Sequence, residues 1–82
     1  MQISYDPQRN IAYLRLRDSA GVEVETVRLS DEVNIDLAPD GTVYGIGLLN
    51  ANAQLRATDG GRLVAVDGAA GRRVEVPLPD VA

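Results

Sequence analysis

Val33-Asn-Ile-Asp-Leu-Ala-Pro-Asp-Gly-Thr-Val-Tyr-Gly-Ile-Gly-Leu-Leu49 reads as two strands folded back on one tight turn. Val33, Ile35 and Leu37 alternate with Asn34 and Asp36, the period-two pattern of a half-buried strand, and Ala38-Pro39-Asp40-Gly41 supplies the reversal. Pro39 presets φ for the first central turn position, Asp40 tolerates the second, and Gly41 can take φ > 0 where the next strand begins. With Pro39, Asp40 and Gly41 as the loop, Ala38 faces Thr42 and Leu37 faces Val43. That register places Gly45 and Gly47 opposite Ile35 and Val33. Glycine weakens a strand unless something approaches closely, so a helix or crossing strand is expected to pack over them, with a ligand on the bare backbone as the alternative.

Composition narrows the function classes. The chain has 82 residues, enough for one domain that removes only about 60–65% of its unfolded surface from water. There is no Phe and no Trp, so its core must come mainly from Val, Leu, Ile and Ala, and the many Val residues favour β structure. A net charge of −4 argues against a nucleic-acid surface. The absence of Cys excludes disulfides, thiolate metal sites and a Cys nucleophile, and the absence of His removes the commonest base and metal ligand. No apolar run approaches membrane-spanning length and the N-terminus lacks a signal-peptide pattern, so a cytoplasmic protein is expected.

The rest of the chain extends the β pattern. Gln2–Tyr5 forms a first strand, halted by Asp6-Pro7, and Ile11–Arg17 a second, with Ala12, Leu14 and Leu16 on the core side. Val22–Ser30 is extended, but Val22 and Val24 share one parity while Val27 and Leu29 share the other, which predicts a bulge or bend near Glu25-Thr26. Asn50 is placed to cap a short helix over Ala51–Ala57, stopped by Asp59-Gly60-Gly61, and Leu55 must dock it on the sheet. A final hairpin runs Arg62–Val66 and Arg72–Val76 around a five-residue loop, which would match Val64 and Val66 with Val74 and Val76 in parity. Pro77 and Pro79 then close the sheet. The expected fold is α+β and β-rich, a single domain over 1–82. It is an antiparallel meander of about six to seven short strands with one short helix, open or closed into a sandwich or small barrel.

Tyr5-Asp-Pro-Gln-Arg-Asn-Ile-Ala-Tyr-Leu-Arg-Leu16, then Val33-Asn-Ile-Asp36, then Asp40-Gly-Thr-Val-Tyr-Gly-Ile46 with Leu48-Leu-Asn-Ala51 resemble a family of small bacterial proteins, the domain of unknown function numbered 2283. Its pattern is roughly YDxxxDxLYIRL followed by DxDxDGxIxGIEILxA. The resemblance covers residues 1 to about 56 and implies a compact β-rich α+β domain. It also implies an antitoxin-like role, since some members look to be encoded beside small toxin-like proteins. The family's second motif mimics the spacing of a calcium loop. Here Ala38 and Gly47 replace two of the oxygen ligands, and Pro39 suits a tight turn. Hard cations want about six to eight oxygens, so no metal or cofactor is expected.

Nor does a catalytic group emerge. Asp6, Asp36 and Asp40 sit at turns or strand ends, where a carboxylate pair lacks the cleft that would raise one pKa. Ser4, Ser19 and Ser30 have no histidine or lysine to activate them. Tyr5, Tyr13 and Tyr44 lack the surrounding cations of a base-stacking platform. The chain is therefore expected to be a non-catalytic protein-interaction module. Small-ligand binding or an enzyme using Tyr and Asp residues is the alternative. Ile11, Tyr13, Tyr44, Ile46 and Leu48 fall on the parity opposite the better-defined apolar set, more than one short helix can cover. They are the candidate partner interface, with a homodimer as the simplest occupant and a protein encoded nearby as another.

Overall fold

The fold follows from how the hairpin at residues 33–49 is paired on both sides. In the computed structural model, which describes residues 1–56 and 62–78, the strands are β1 (Gln2–Asp6), β2 (Ile11–Arg15), β3 (Glu25–Arg28), β4 (Val33–Leu37), β5 (Val43–Leu49), β6 (Arg62–Asp67) and β7 (Arg72–Pro77), with one helix, α1 (Ala51–Arg56). The first five form an antiparallel sheet in the order β1-β2-β5-β4-β3, and β6 and β7 form a separate two-stranded sheet. The β-rich α+β class is as expected, but the five-stranded sheet is open, and β5 inserts between β2 and β4, so the strand order is not that of a simple meander.

The central turn takes the expected shape. The Gly41 N–H donates to Ala38 O at 2.9 Å, the Ala38 N–H to Thr42 O at 2.9 Å, and Gly41 adopts φ 87°. Leu37 pairs with Val43, yet Asp36 pairs with Gly45, leaving Tyr44 without a partner on β4. This bulge shifts the register by one residue. Gly45 and Gly47 therefore lie opposite Asp36 and Asn34, and not opposite Ile35 and Val33, which meet Ile46 and Leu48 instead. What covers the glycines is also different from expectation. It is the Tyr13 ring, reaching over from the neighbouring β2 strand, and neither a helix nor a crossing strand.

Other local expectations are corrected in the same way. The parity slip at residues 22–30 is no bulge within a strand: the paired strand begins only at Glu25, and Val22 to Val24 form an unpaired lead-in with both valines half-buried. The helix cap is Asn10 and not Asn50. Asn10 Oδ1 accepts from the Asn52 N–H at 2.7 Å, the Ala51 N–H donates to Asn10 O at 3.1 Å, and Asn50 is occupied as an acceptor for Asn10 Nδ2 at 3.2 Å. Asn10 and Asn50 both take positive φ, 59° and 55°, a conformation asparagine tolerates better than most residues. Gln54 Nε2 donates to Glu32 O at 3.1 Å and Leu49 O at 2.6 Å, tying the helix to the β3–β4 connection. Ala57, Asp59, Gly60, Gly61 and Pro79 lie outside the described residues.

The final hairpin has an even loop. Asp67 pairs with Arg72, because its carboxylate accepts from the Ala69 and Ala70 N–H groups at 3.0 and 3.2 Å and draws it into the ladder. The result is that Leu63 faces Val76 and Ala65 faces Val74, whereas Val64 and Val66 lie on the other side with Glu75 and Arg73. The core is small. Tyr5, Ala12, Ala51 and Leu78 are buried together, with Ile3, Leu48, Leu55 and Leu63 packed around them.

A β-carbon built at Gly45 would overlap the Tyr13 hydroxyl and ring, whereas one at Gly47 would come no closer than 3.6 Å to Asn34 Cβ. Gly45→Ala is expected to destabilise by about 1–3 kcal/mol through overpacking, and Gly47→Ala by clearly less. Urea unfolding measures both, and the loss at Gly45 should shrink in a Tyr13→Ala background, where no ring remains to be displaced.

Candidate functional site

Antiparallel partners share a sheet face, so the observed registers assign every strand side chain. One face carries Ile3 and Tyr5 of β1, Ala12 and Leu14 of β2, Ile46 and Leu48 of β5, Val33, Ile35 and Leu37 of β4, Val43, and Val27 of β3. Among the described residues Glu25 is the one charged side chain at a paired position on this apolar face. The other face carries Ser4, Asp6, Ile11, Tyr13, Arg15, Asn34, Asp36, Thr26 and Arg28, with Gly45, Gly47 and Leu49 between them.

The five residues singled out from the sequence are therefore not one patch. Ile46 and Leu48 lie on the apolar face, beside Leu14 and Ala12. Ile11 and Tyr13 lie on the polar face, and Tyr44 occupies the bulge, its carbonyl accepting from the Leu16 and Arg17 N–H groups at 3.0 and 3.3 Å. The cause is the extra residue in β5, which inverts the parity of everything after it relative to β4. Assigning Ile46 and Leu48 to the face of Leu14 and Ile35 requires knowing of the bulge, for which no proline or turn signal stands at Tyr44.

The apolar face is covered unevenly. Helix α1 and the β6–β7 hairpin close over the β1–β2 corner, where Tyr5 and Ala12 are buried and Leu55, Leu63 and Leu78 pack. Toward β4 and β3, Val33, Ile35, Leu37, Val43 and Ile46 remain half-buried, and Val27 on the edge strand is 36% exposed. At the far end, a hollow of about 560 Å³ lies between Glu23, Val24, Glu25 and the Leu37–Gly41 turn. The face thus runs from a closed corner to an open apolar half with an acidic end.

The polar face is held by one carboxylate. Asp36 accepts from the Tyr13 hydroxyl at 2.6 Å through one oxygen and from the Thr26 hydroxyl at 2.6 Å through the other, joining β2, β4 and β3 across the sheet. The hydrogen bond to Asp36 is the main reason the Tyr13 hydroxyl ionises above its ordinary value near 10, with burial and the negative charge of Asp36 adding to it. Beside this network, Ser4, Asp6, Ile11, Tyr13, Gly47 and Leu49 line an apolar groove of about 350 Å³. The other carboxylates are spent locally. Asp6 accepts from the Gln8 and Arg9 N–H groups at 3.1 and 3.2 Å, and Asp40 from the Thr42 N–H at 2.9 Å, which holds the Asp40 carboxyl below its ordinary range. Among the described residues no three carboxylates converge.

A family model described as protein of unknown function (DUF2283) matches residues 2–52, which is the whole five-stranded sheet and the start of α1. No curated protein and no solved structure matches the chain.

Because the folded state raises the Tyr13 pKa, its hydroxyl contributes stability that is fully present below pH 10 and is lost as pH rises through the folded value. Asp36→Ala is expected to return the tyrosinate absorbance transition of Tyr13 toward pH 10. It should also cost about 1–3 kcal/mol in urea unfolding near neutral pH, since two hydroxyls lose a charged acceptor. A Tyr13→Phe variant identifies which step of the alkaline spectrophotometric titration belongs to Tyr13.

Proposed function

The chain belongs to the DUF2283 family of proteins of unknown function, and from that premise we propose that it is a non-catalytic protein-interaction module that works through the open half of its apolar sheet face. The observation that carries this reading is the mismatch between face and cover. Val33, Ile35, Leu37, Val43 and Ile46 form one continuous half-buried surface across β4 and β5, and the described helix and hairpin cover only the opposite corner. Soluble monomers rarely leave such a patch open. The simplest occupant is a second copy, because a sheet face is readily self-complementary about a two-fold axis and that symmetry is the commonest among oligomers.

A second reading, small-ligand binding, is favoured by the apolar groove beside Tyr13. It ranks lower because the Tyr13 hydroxyl and Asp36 satisfy each other and the Asp6 carboxylate is engaged by its own turn, which leaves Ser4 as the polar side chain of the groove to orient a ligand. A thermal-shift screen of small apolar compounds separates the two, with an unchanged melting temperature expected.

Sedimentation equilibrium tests the interaction reading directly. The expected mass is twice 8.7 kDa at about 100 µM chain, or an apparent equilibrium between that and the single chain. Val27→Glu, on an edge strand where the side chain is already partly exposed, should shift the equilibrium to monomer without unfolding. Ile46→Glu in the sheet centre should do so or unfold the chain, whereas Glu23→Lys should change neither mass nor melting. A constant 8.7 kDa mass over that range overturns self-association.

A further inference from the structure

The β6–β7 hairpin is held to the rest of the chain by apolar contact. It forms a sheet of its own, and among the described residues no hydrogen bond and no ion pair joins residues 62–78 to residues 1–55. Its polar bonds are internal. Arg62 and Arg73 pair with Glu75 at 3.1 and 2.8 Å, and Asp67 accepts from the Ala69 and Ala70 N–H groups through its carboxylate and from the Gly71 N–H through its carbonyl. Attachment comes from two leucines: Leu63 and Leu78 pack on the core of Tyr5, Ala12 and Ala51, where β6 also passes α1. Beyond them the hairpin lies open on both sides, with all of β7 exposed, Val74 and Val76 on one side and Val66 on the other. A two-stranded hairpin has little stability of its own. The five-stranded sheet is built differently, since β2, β4 and β5 have paired strands on both sides and the bonds of Asp36 to Tyr13 and Thr26 cross it.

We propose that the β6–β7 hairpin is a strap that lifts from the sheet as a unit while the five strands stay folded, uncovering the corner lined by Ile3, Tyr5, Ala12 and Leu48. Segments open separately when few contacts tie them to the remainder, and the contacts to be broken here are those of Leu63 and Leu78 with the core and of β6 with α1. Helix α1 is not carried away with the strap. Its first turn is held by Asn10, and its Gln54 side chain by the Glu32 and Leu49 carbonyls, all within residues 1–55. The same division appears in the family match: residues 2–52 contain all five strands, whereas Leu63 and Leu78 lie beyond them. With the strap down, the open part of the apolar face stops at the closed corner. With the strap up, it extends to β1. The strap thus sets how much of the face a partner can reach, and this holds whatever occupies the open half.

Native-state hydrogen exchange in low urea tests the opening. The amides of β6 and β7 are expected to be protected at least about 100-fold less than those of β5, with a urea slope less than about half as steep, because lifting exposes less surface than unfolding. Protection and slope equal to those of β5 mean that hairpin and sheet open together, and overturn the proposal. The chain contains no cysteine, so an introduced thiol distinguishes lifting from fraying within a docked hairpin. Ala12→Cys, in the covered corner where residue 12 is 7% exposed, is expected to react with iodoacetamide at a rate that shares the shallow urea slope of the hairpin amides. Adding Leu78→Ser should raise that rate at least about tenfold, while Tyr13 keeps its raised titration, the mark of an intact sheet. Where Ala12→Cys does not fold, Ala51→Cys places the thiol in the same core. A thiol whose slope is as steep as that of the β5 amides, or whose rate Leu78→Ser leaves unchanged, overturns the proposal. Loss of the Tyr13 titration in the Leu78→Ser chain does so as well, since the sheet then unfolds with its strap.

Discussion

A single extra residue in β5 decides what each side of this protein is for. Were β4 and β5 paired without the bulge at Tyr44, Ile35 and Val33 would face the two glycines, and Ile46 and Leu48 would point away from them. With the bulge, the aliphatic residues of all five strands gather on one face, and the other receives Asp36, Thr26 and Tyr13 as a hydrogen-bonded bridge. The two outcomes are coupled, because side-chain direction alternates strictly along a strand and one slip inverts everything beyond it. Asp36 gains its Tyr13 donor by the same shift that lets Ile35 meet Ile46, whereas Thr26 stands opposite Asp36 in the β3–β4 ladder with or without the bulge.

One polar cluster ties the helix to that sheet in a chain with little to bury. Asn10 and Asn52 join the β1–β2 turn to the helix, with the Tyr5 hydroxyl donating to Asn52 Oδ1 and Asn52 Nδ2 donating to Pro7 O at 3.0 Å. That knot lies directly over the buried core of Tyr5, Ala12 and Ala51. A six-residue helix has no stability of its own, so its position is set by these bonds and by Leu55 packing beneath it. The family pattern stated for this position is aspartate, whose carboxylate could accept from the same Asn52 N–H, so Asn10 preserves the cap.

Much of the fold was legible in the sequence, and the reasons for the remainder are specific. Turn chemistry located the reversal at Pro39, Asp40 and Gly41, and period-two alternation located the strands on either side. The short helix and the docking of Leu55 followed from propensity and length. What periodicity could not reveal was the bulge at Tyr44, because its one local mark, Gly45 beside it, reads equally well as a position of close approach. The candidate patch failed for that reason alone: Ile11 and Tyr13 were grouped with Ile46 and Leu48 by parity, and parity is reset at residue 44. The hairpin loop was misjudged by one residue because Asp67 acts both as a ladder residue and as the acceptor that closes its own turn.

The Tyr13 ring over Gly45 has a further consequence, for the order in which this sequence can change. Any side chain at residue 45 competes for the volume that the ring occupies, so a lineage that acquires one there while the tyrosine remains loses stability. A smaller residue at 13 removes that cost, but the step gives up the donor on which one oxygen of Asp36 depends. Residues 13, 36 and 45, on three adjacent strands, are thus coupled through the tyrosine: while the ring stays, a glycine at 45 and an acceptor at 36 are both favoured.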